Sequence, residues 1–271
     1  MYVIKASGEK AEFKPERILR SLLRAGASRK LAEEIVKKVE VKVYNGITTK
    51  KILETALKLL KTKNPEIAEI YDLKRAIMRL GPTGFIFEKF FAEILKSYGY
   101  KTQVGKMVRG KSISQEVDII AKKDFTYMVE NKYHNSVGIY TNLKVALYTY
   151  ARFLDLKKHF DYAWLATNTR LSRKAIAYAK GVNMKITSWQ YPEKESLRKL
   201  IEEKKLYPIT ILKSVNDSVK LKLYKSDIIL SRSLVDYSFK ELKRKTNLSE
   251  KVLRKIIDEA KVVSGVKKKI V

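Results

Sequence analysis

The chain has no cysteine in 271 residues, which excludes a disulfide framework, a zinc–thiolate site and thiol catalysis. It has no run of about 18 apolar residues, the length a membrane-spanning helix needs. Its N-terminus lacks the apolar core of a secretory signal, so the expectation is a cytoplasmic protein with no membrane partner. There is no internal repeat and no low-complexity stretch. Acid is scarce: 29 Asp and Glu face 58 Lys and Arg, a net charge of +29. Thermophile surfaces rich in Lys generally carry Glu to match, and this one does not. The excess therefore points to a polyanion, nucleic acid first. What is present suffices to fold: 45% of residues are hydrophobic, and the length suits two or three small domains.

The most informative stretch runs from Ser114 to His134. Val117, Ile119 and Ala121 alternate with Asp118 and Ile120, a polar Lys122-Lys123-Asp124 turn follows, and Phe125–Tyr133 is rich in aromatic and β-branched residues. This is a β-hairpin pattern. Glu130 and Lys132 share a strand face because side chains alternate. Asp118 and Glu130 stand equally far from Asp124, so pairing around that residue sets them directly opposite. Opposed carboxylates destabilise a hairpin, and a divalent cation offsets that cost, since Mg²⁺ takes carboxylate and phosphate oxygens. Upstream, Gly84–Tyr98 reads as an amphipathic helix in which Glu88 falls on one face with Phe91, Ala92 and Leu95. A carboxylate beside an apolar stripe requires a partner or a metal.

Glu88 on a helix, then Asp118, then Glu130-x-Lys132 on consecutive strands, resembles the PD-(D/E)XK nuclease superfamily, and its Mrr-type restriction endonucleases in particular. The likeness spans roughly Gly81 to Ile201; Val117 stands where the family usually has proline. It implies a DNA endonuclease dependent on Mg²⁺ or Mn²⁺. Glu88, Asp118 and Glu130 are the expected metal ligands, Lys132 positions the attacking water, and His134 is a further catalytic candidate. It also implies a helix behind the hairpin that sends a polar side chain into the site. Asn142–His159 supplies the helix, with Lys144 or Arg152 in place of the usual glutamine. Double-stranded DNA is the expected substrate. A structure-specific junction resolvase would share these residues, and a nucleotide-sensing DNA-binding regulator without catalysis is the rival class. A homo-oligomer is a further expectation.

The first 80 residues open with VIKASGEKAEF, a short hairpin turning at Ser7-Gly8, and continue as helices from Pro15, after Ser28, from Thr48, and over Pro65–Leu80. With the Arg17-Ile18 pair, GITTKKILETAL and IYDLKRAI, the segment resembles the ATP-cone, a regulatory nucleotide-binding domain. Lys5, Arg17, Thr49 and Arg75 fall where that family contacts phosphate or base, which implies ATP or dATP as effector. The family's Lys-Arg-Asp-Gly reads Lys5-Ala6-Ser7-Gly8 here.

Gly81-Pro82-Thr83-Gly84 marks a boundary, with Thr83 as a candidate helix cap. Tyr162–Thr167, a helix after Ser172 ending at Gly181, and Met184–Trp189 predict a parallel strand–helix–strand crossover with Trp164 and Trp189 in the core. From residue 206 the sequence predicts a strand at Val219–Leu223 and a pair of basic helices joined at Asn247-Leu248-Ser249, ending in a solvated Lys267–Lys269. The expected architecture is α/β: a mixed, restriction-endonuclease-like sheet flanked by helices (81–205). A mainly helical ATP-cone-like domain (1–80) precedes it, and a small, basic, mainly helical C-terminal unit (206–271) follows.

Overall fold

A computed structural model of the chain describes residues 1–136 and 138–265; Lys267–Lys269 lies outside them. The N-terminal unit begins with β1 (Tyr2–Ile4) and β2 (Lys10–Glu12), an antiparallel hairpin turned at Gly8 with φ 82°. Helices α1 (Pro15–Arg24) and α2 (Arg29–Glu40) follow, then β3 (Ile47–Thr48), which joins β1 in parallel and which the periodicity did not reveal. Ser28 and Thr48 cap α2 and α3 (Thr49–Lys63), accepting from the N–H groups of Leu31 and Lys51. Leu22, Ala32, Ile35, Ala56 and Leu60 build this unit's core.

The helix expected over Pro65–Leu80 is two, α4 (Pro65–Tyr71) and α5 (Leu73–Met78), broken at Asp72. The break has a packing reason. Ala68 of α4 belongs to the N-terminal core, whereas Leu73, Ala76 and Ile77 of α5 belong to the next one. One straight helix could not serve both.

The central unit is a three-layer sandwich. Its sheet runs β10–β8–β6–β5–β4. Strands β4 (Lys101–Arg109), β5 (Ser114–Lys122) and β6 (Thr126–Lys132) are antiparallel, and β8 (Tyr162–Thr167) and β10 (Lys185–Thr187) continue in parallel from β6. Two short strands, β7 (Tyr140–Thr141) and β9 (Arg170–Leu171), pair apart from it. One face carries α6 (Phe85–Ser97), whose Phe87, Phe90 and Phe91 are fully buried with Ile119, Val129 and Trp164, and α9 (Leu197–Lys204). The other carries α7 (Leu143–Leu156) and α8 (Arg173–Gly181) over Met128, Ala163 and Leu165. Trp164 and Trp189 are core residues, as expected. Two local expectations change. Gly84, not Thr83, precedes α6, without a side-chain cap. Gly181 stays inside α8, and the left-handed residue after it is Asn183.

The strand expected at Val219–Leu223 is helix α10 (Asp217–Lys225). Asn216 caps it through the Val219 N–H, and Val219 and Leu223, one turn apart, are the buried pair while Leu221 is exposed. Helices α11 (Ser233–Asp236), α12 (Phe239–Thr246) and α13 (Glu250–Ser264) follow among the described residues. Asn247 takes the left-handed turn between α12 and α13 with φ 47°. This unit is no free tail. Leu223, Leu242, Leu253 and Ile256 share one continuous core with α5 and α6. The Tyr224 hydroxyl donates to the Leu80 carbonyl at 2.8 Å, and that of Thr210 to the Ala76 carbonyl at 2.7 Å. Among the described residues, no helix is long and apolar enough to cross a membrane.

Candidate active site

The β5–β6 ladder runs from Lys122↔Thr126 to Ile119↔Val129. The next step of that register sets Asp118 against Glu130, and there the backbone ladder stops. The N–H of Asn131 donates instead to Asp118 Oδ2 at 2.7 Å. The position facing Asp118 on β4, between the Val104↔Ile119 and Lys106↔Val117 pairs, is Gly105, whose φ is 61°. A side chain there would meet Glu116 Oε1 at 3.3 Å. The sheet therefore opens around Asp118, and Glu116, two residues earlier on the same face, adds a fourth carboxylate nearby.

Glu88 arrives from the first turn of α6, in the layer on the other side of the sheet. Its Oε1 lies close to the Gly84 backbone, beside Tyr133, and it makes no hydrogen bond or ion pair to a described residue. Glu130 is mostly buried and ion-paired with Arg152 of α7. Arg152 also donates to Gln115 Oε1 and the Glu116 carbonyl. Gln115 is held in turn by Asp155, one turn of α7 further on, which also accepts from the Ser112 N–H at 2.6 Å. The basic turn at Arg109–Ser112 is thus clamped by Asp155, whose carboxyl those hydrogen bonds hold down at about 2. Lys144 is not part of the network; of the two helix cations proposed, Arg152 reaches the hairpin.

The electrostatics follow from burial and crowding. Burial first, then the charges of Asp118, Glu116 and Glu130, lift Glu88 to about 7. Burial and Asp118 lift Glu130 to about 7, against the pull of Arg152 and Lys132. Asp118 is raised too, by burial, although the Asn131 N–H and Arg152 oppose it. Lys132 is exposed and makes no hydrogen bond or ion pair among the described residues. Its charge acts on Glu130 and His134. Among the described residues no three acidic or imidazole groups converge into a ready metal cage. The donors still suit a hard cation: crowded carboxylates whose ionisation is opposed first by burial and then by one another. Asp118 and Glu130 are adjacent by register, and Glu88 feels the charge of both.

His134 points elsewhere. Its Nε2 lies 3.0 Å from Thr141 Oγ1, in a buried chain that continues to Thr167 and Thr169. Asn168 brackets its backbone, accepting from its N–H and donating to its carbonyl. The ring ties β6 to β7 and β8. The sequence pattern alone does not single out Glu116, Gln115 and Asp155. Glu116 was within reach of the alternation that placed Asp118; Asp155 lies 37 residues downstream and had no local signal.

The four N-terminal candidates, Lys5, Arg17, Thr49 and Arg75, all line one cavity of about 380 Å³. Arg75 is partly engaged by Glu54 and Asp72 and Lys5 by Glu9, while nothing among the described residues bonds the Arg17 guanidinium.

The sheet order and the opened hairpin are those of a restriction-endonuclease-like domain. Family models match along the chain: ATP cone domain over residues 1–77, restriction endonuclease over 82–197, and AF1548-like, C-terminal over 207–264. A protein of Archaeoglobus fulgidus named "Uncharacterized protein" is 43% identical over 176 residues, 64% of this chain and 99% of its own. A solved structure titled "Crystal Structure of Protein of Unknown Function AF1548" is 40% identical with a TM-score of 0.61, covering 68% of this chain and all of that one. The chain belongs to this AF1548-like family, with an ATP cone, a restriction-endonuclease-like domain and the family's C-terminal unit in that order.

Proposed function

We propose that the protein is a metal-dependent DNA endonuclease. The observation that carries this is the position of Asp118 opposite Glu130 where the ladder opens, with Lys132 on the same face and Glu88 within electrostatic reach. Like charges gathered at a sheet opening cost stability and have no packing purpose; a bound cation explains them. Asp118 and Glu130 would hold Mg²⁺ or Mn²⁺, with Glu88 binding it directly or through water. Such an ion supplies Lewis acidity and a nucleophilic water at neutral pH. The Lys132 ammonium holds the attacking water by hydrogen bonding and offsets the negative charge that builds on the phosphate. A carboxyl near 7, as on Glu88, takes up a proton and releases it again at neutral pH. The charge of +29 supplies salt-dependent affinity for the backbone of double-stranded DNA.

One observation favours a second reading. Arg152 occupies Glu130 Oε2, and a site kept closed this way suits a DNA-binding regulator that does not cut. Plasmid cleavage with Mg²⁺ or Mn²⁺, comparing wild type with Asp118→Ala and Lys132→Ala, separates the two. Cleavage by wild type alone supports the nuclease. DNA binding without cleavage under either metal puts the regulator ahead.

A further inference from the structure

The cavity lined by the cone's four candidate residues is not walled by the cone alone. Ile139, Tyr140 and Arg170, from the central unit, line it as well. Tyr140 and Arg170 are register partners in the β7–β9 pair, so one small sheet presents both. The two units also touch at close quarters here. Gly138, at φ 90°, lies under the tip of the cone hairpin, and a Cβ on it would stand 2.5 Å from the Ala6 carbonyl oxygen.

A second cleft of about 470 Å³ opens next to the first and shares Lys5, Arg17 and Arg170 with it. Its remaining charged lining is Arg20 and Arg24 from the cone and Arg198 from α9, with no carboxylate. Carboxylates outside the cleft offset these cations only in part: Glu9 pairs with Lys5 at 3.0 Å, and Glu202 acts on both Arg198 and Arg24. Arg198 Nε is buried without a hydrogen-bond partner, and Glu202 stands 3.8 Å away. Arg24 is depressed by burial and then by Arg198 across the junction, with Glu202 opposing. Six cations facing one another across two units repel, unless an anion with several charges lies between them. The first cavity offers what a base needs, with Leu53, Ile139 and Tyr140 among its lining, and the second offers what phosphates need.

We propose that the central unit completes the cone's nucleotide site. A purine nucleoside triphosphate lies with its base against Tyr140 and Ile139. Its phosphates run past Arg17 into the cleft, where Arg170 and Arg198 bind them with Arg20 and Arg24. The proposal rests on the cone binding nucleotide and adds that the nuclease-like unit reads the same ligand directly. Bound nucleotide then clamps the two units together.

Calorimetric titration of the full chain with ATP and with inorganic triphosphate tests this. Arg17→Ala serves as the cone variant, Arg170→Ala, Arg198→Ala and Tyr140→Ala as junction variants, and Lys251→Ala on α13 as a distant control. Thermal melting without ligand verifies folding, and Arg170→Lys keeps the charge where Arg170→Ala fails to fold. The expected result is a loss of ATP affinity of about tenfold or more in Arg170→Ala and Arg198→Ala, with none in Lys251→Ala. Triphosphate should bind more weakly than ATP, and the difference should narrow in Tyr140→Ala. Loss confined to Arg17→Ala overturns the shared site and leaves the cone reading intact. No ATP binding by wild type overturns both. A drop in duplex-DNA affinity in Arg198→Ala with ATP affinity unchanged makes the cleft a DNA surface and also overturns the proposal. DNA cleavage without nucleotide is read separately, so the nuclease reading stands or falls on its own.

Discussion

Arg152 is ion-paired with Glu130, and both side chains are largely buried, 13% and 16% exposed. Among the described residues, Arg152 is the one cation of α7 that pairs with a hairpin carboxylate. Removing one partner of a buried pair leaves the other charged and unsolvated, at a cost of about 3 kcal/mol or more. Because Glu130 holds its proton up to about 7, the cost depends on pH. Arg152→Ala should lose about 3 kcal/mol near pH 8 and much less near about pH 5, where Glu130 is neutral. Adding Glu130→Gln should recover part of the loss. Urea unfolding measures all three; an equal loss at both pH values would mean that Arg152 acts by packing alone.

The two carboxyls near 7 also set how the wild type responds to pH. Their ordinary value is 4.5. Between the two values the folded chain keeps protons that the unfolded chain has released. Their contribution to stability therefore falls as pH rises from about 4.5 through about 7, then levels off. Glu88→Gln and Glu130→Gln should each flatten that slope. A bound cation needs the carboxylates ionised and displaces protons. Added Mg²⁺ or Mn²⁺ should thus raise the melting temperature more near pH 8 than near pH 5, and Asp118→Asn should abolish the rise. A metal-induced shift independent of Asp118 would place the ion elsewhere.

Lys132 is proposed to act on water and phosphate and not on folding, since it is exposed and unbonded among the described residues. Lys132→Met should leave the melting temperature and the metal-induced shift near wild type while lowering cleavage by about a hundredfold or more. Asp118→Asn should lose both the shift and cleavage. A Lys132→Met protein that cuts normally would remove this lysine from the mechanism.

Much of this was open to a reader of the sequence, for physical reasons that can be named. Asp118 and Glu130 could be placed opposite each other because a hairpin register has one free parameter, the turn centre, and Asp124 supplied it; the observed pairs keep that register. Lys5, Arg17, Thr49 and Arg75 came from resemblance to the cone, and one cavity gathers them. What escaped was set by packing between distant segments. VKLKL at 219–223 alternates as a strand would, but its two buried positions are also one helical turn apart, and the Asn216 cap with the shared core decides for helix. His134 looked catalytic beside Lys132, and only the fold reveals the threonine chain that occupies it. Nothing near Gly138 in sequence announces the cone hairpin lying against it.

The C-terminal unit makes the last prediction. Its Leu253 and Ile256 are fully buried and belong to the core that contains Phe87, Phe90 and Phe91. The cone has a separate core around Leu22, Ile35 and Leu60. Cooperativity follows shared burial, so the central and C-terminal units should unfold in one transition and the cone in another. Leu253→Ala should cost about 3 kcal/mol through the cavity it leaves, and calorimetry should show only the transition of the shared core moving down. Truncation after Lys205 should do more. It strips the cover from α5 and α6, exposing aromatic surface beside Glu88, so the remaining chain should bind a hydrophobic dye and lose the Asp118-dependent metal shift. A truncated chain that melts cooperatively and keeps that shift would show that α6 positions Glu88 without support from behind. The candidate site would then depend on the sheet and its two helix layers alone.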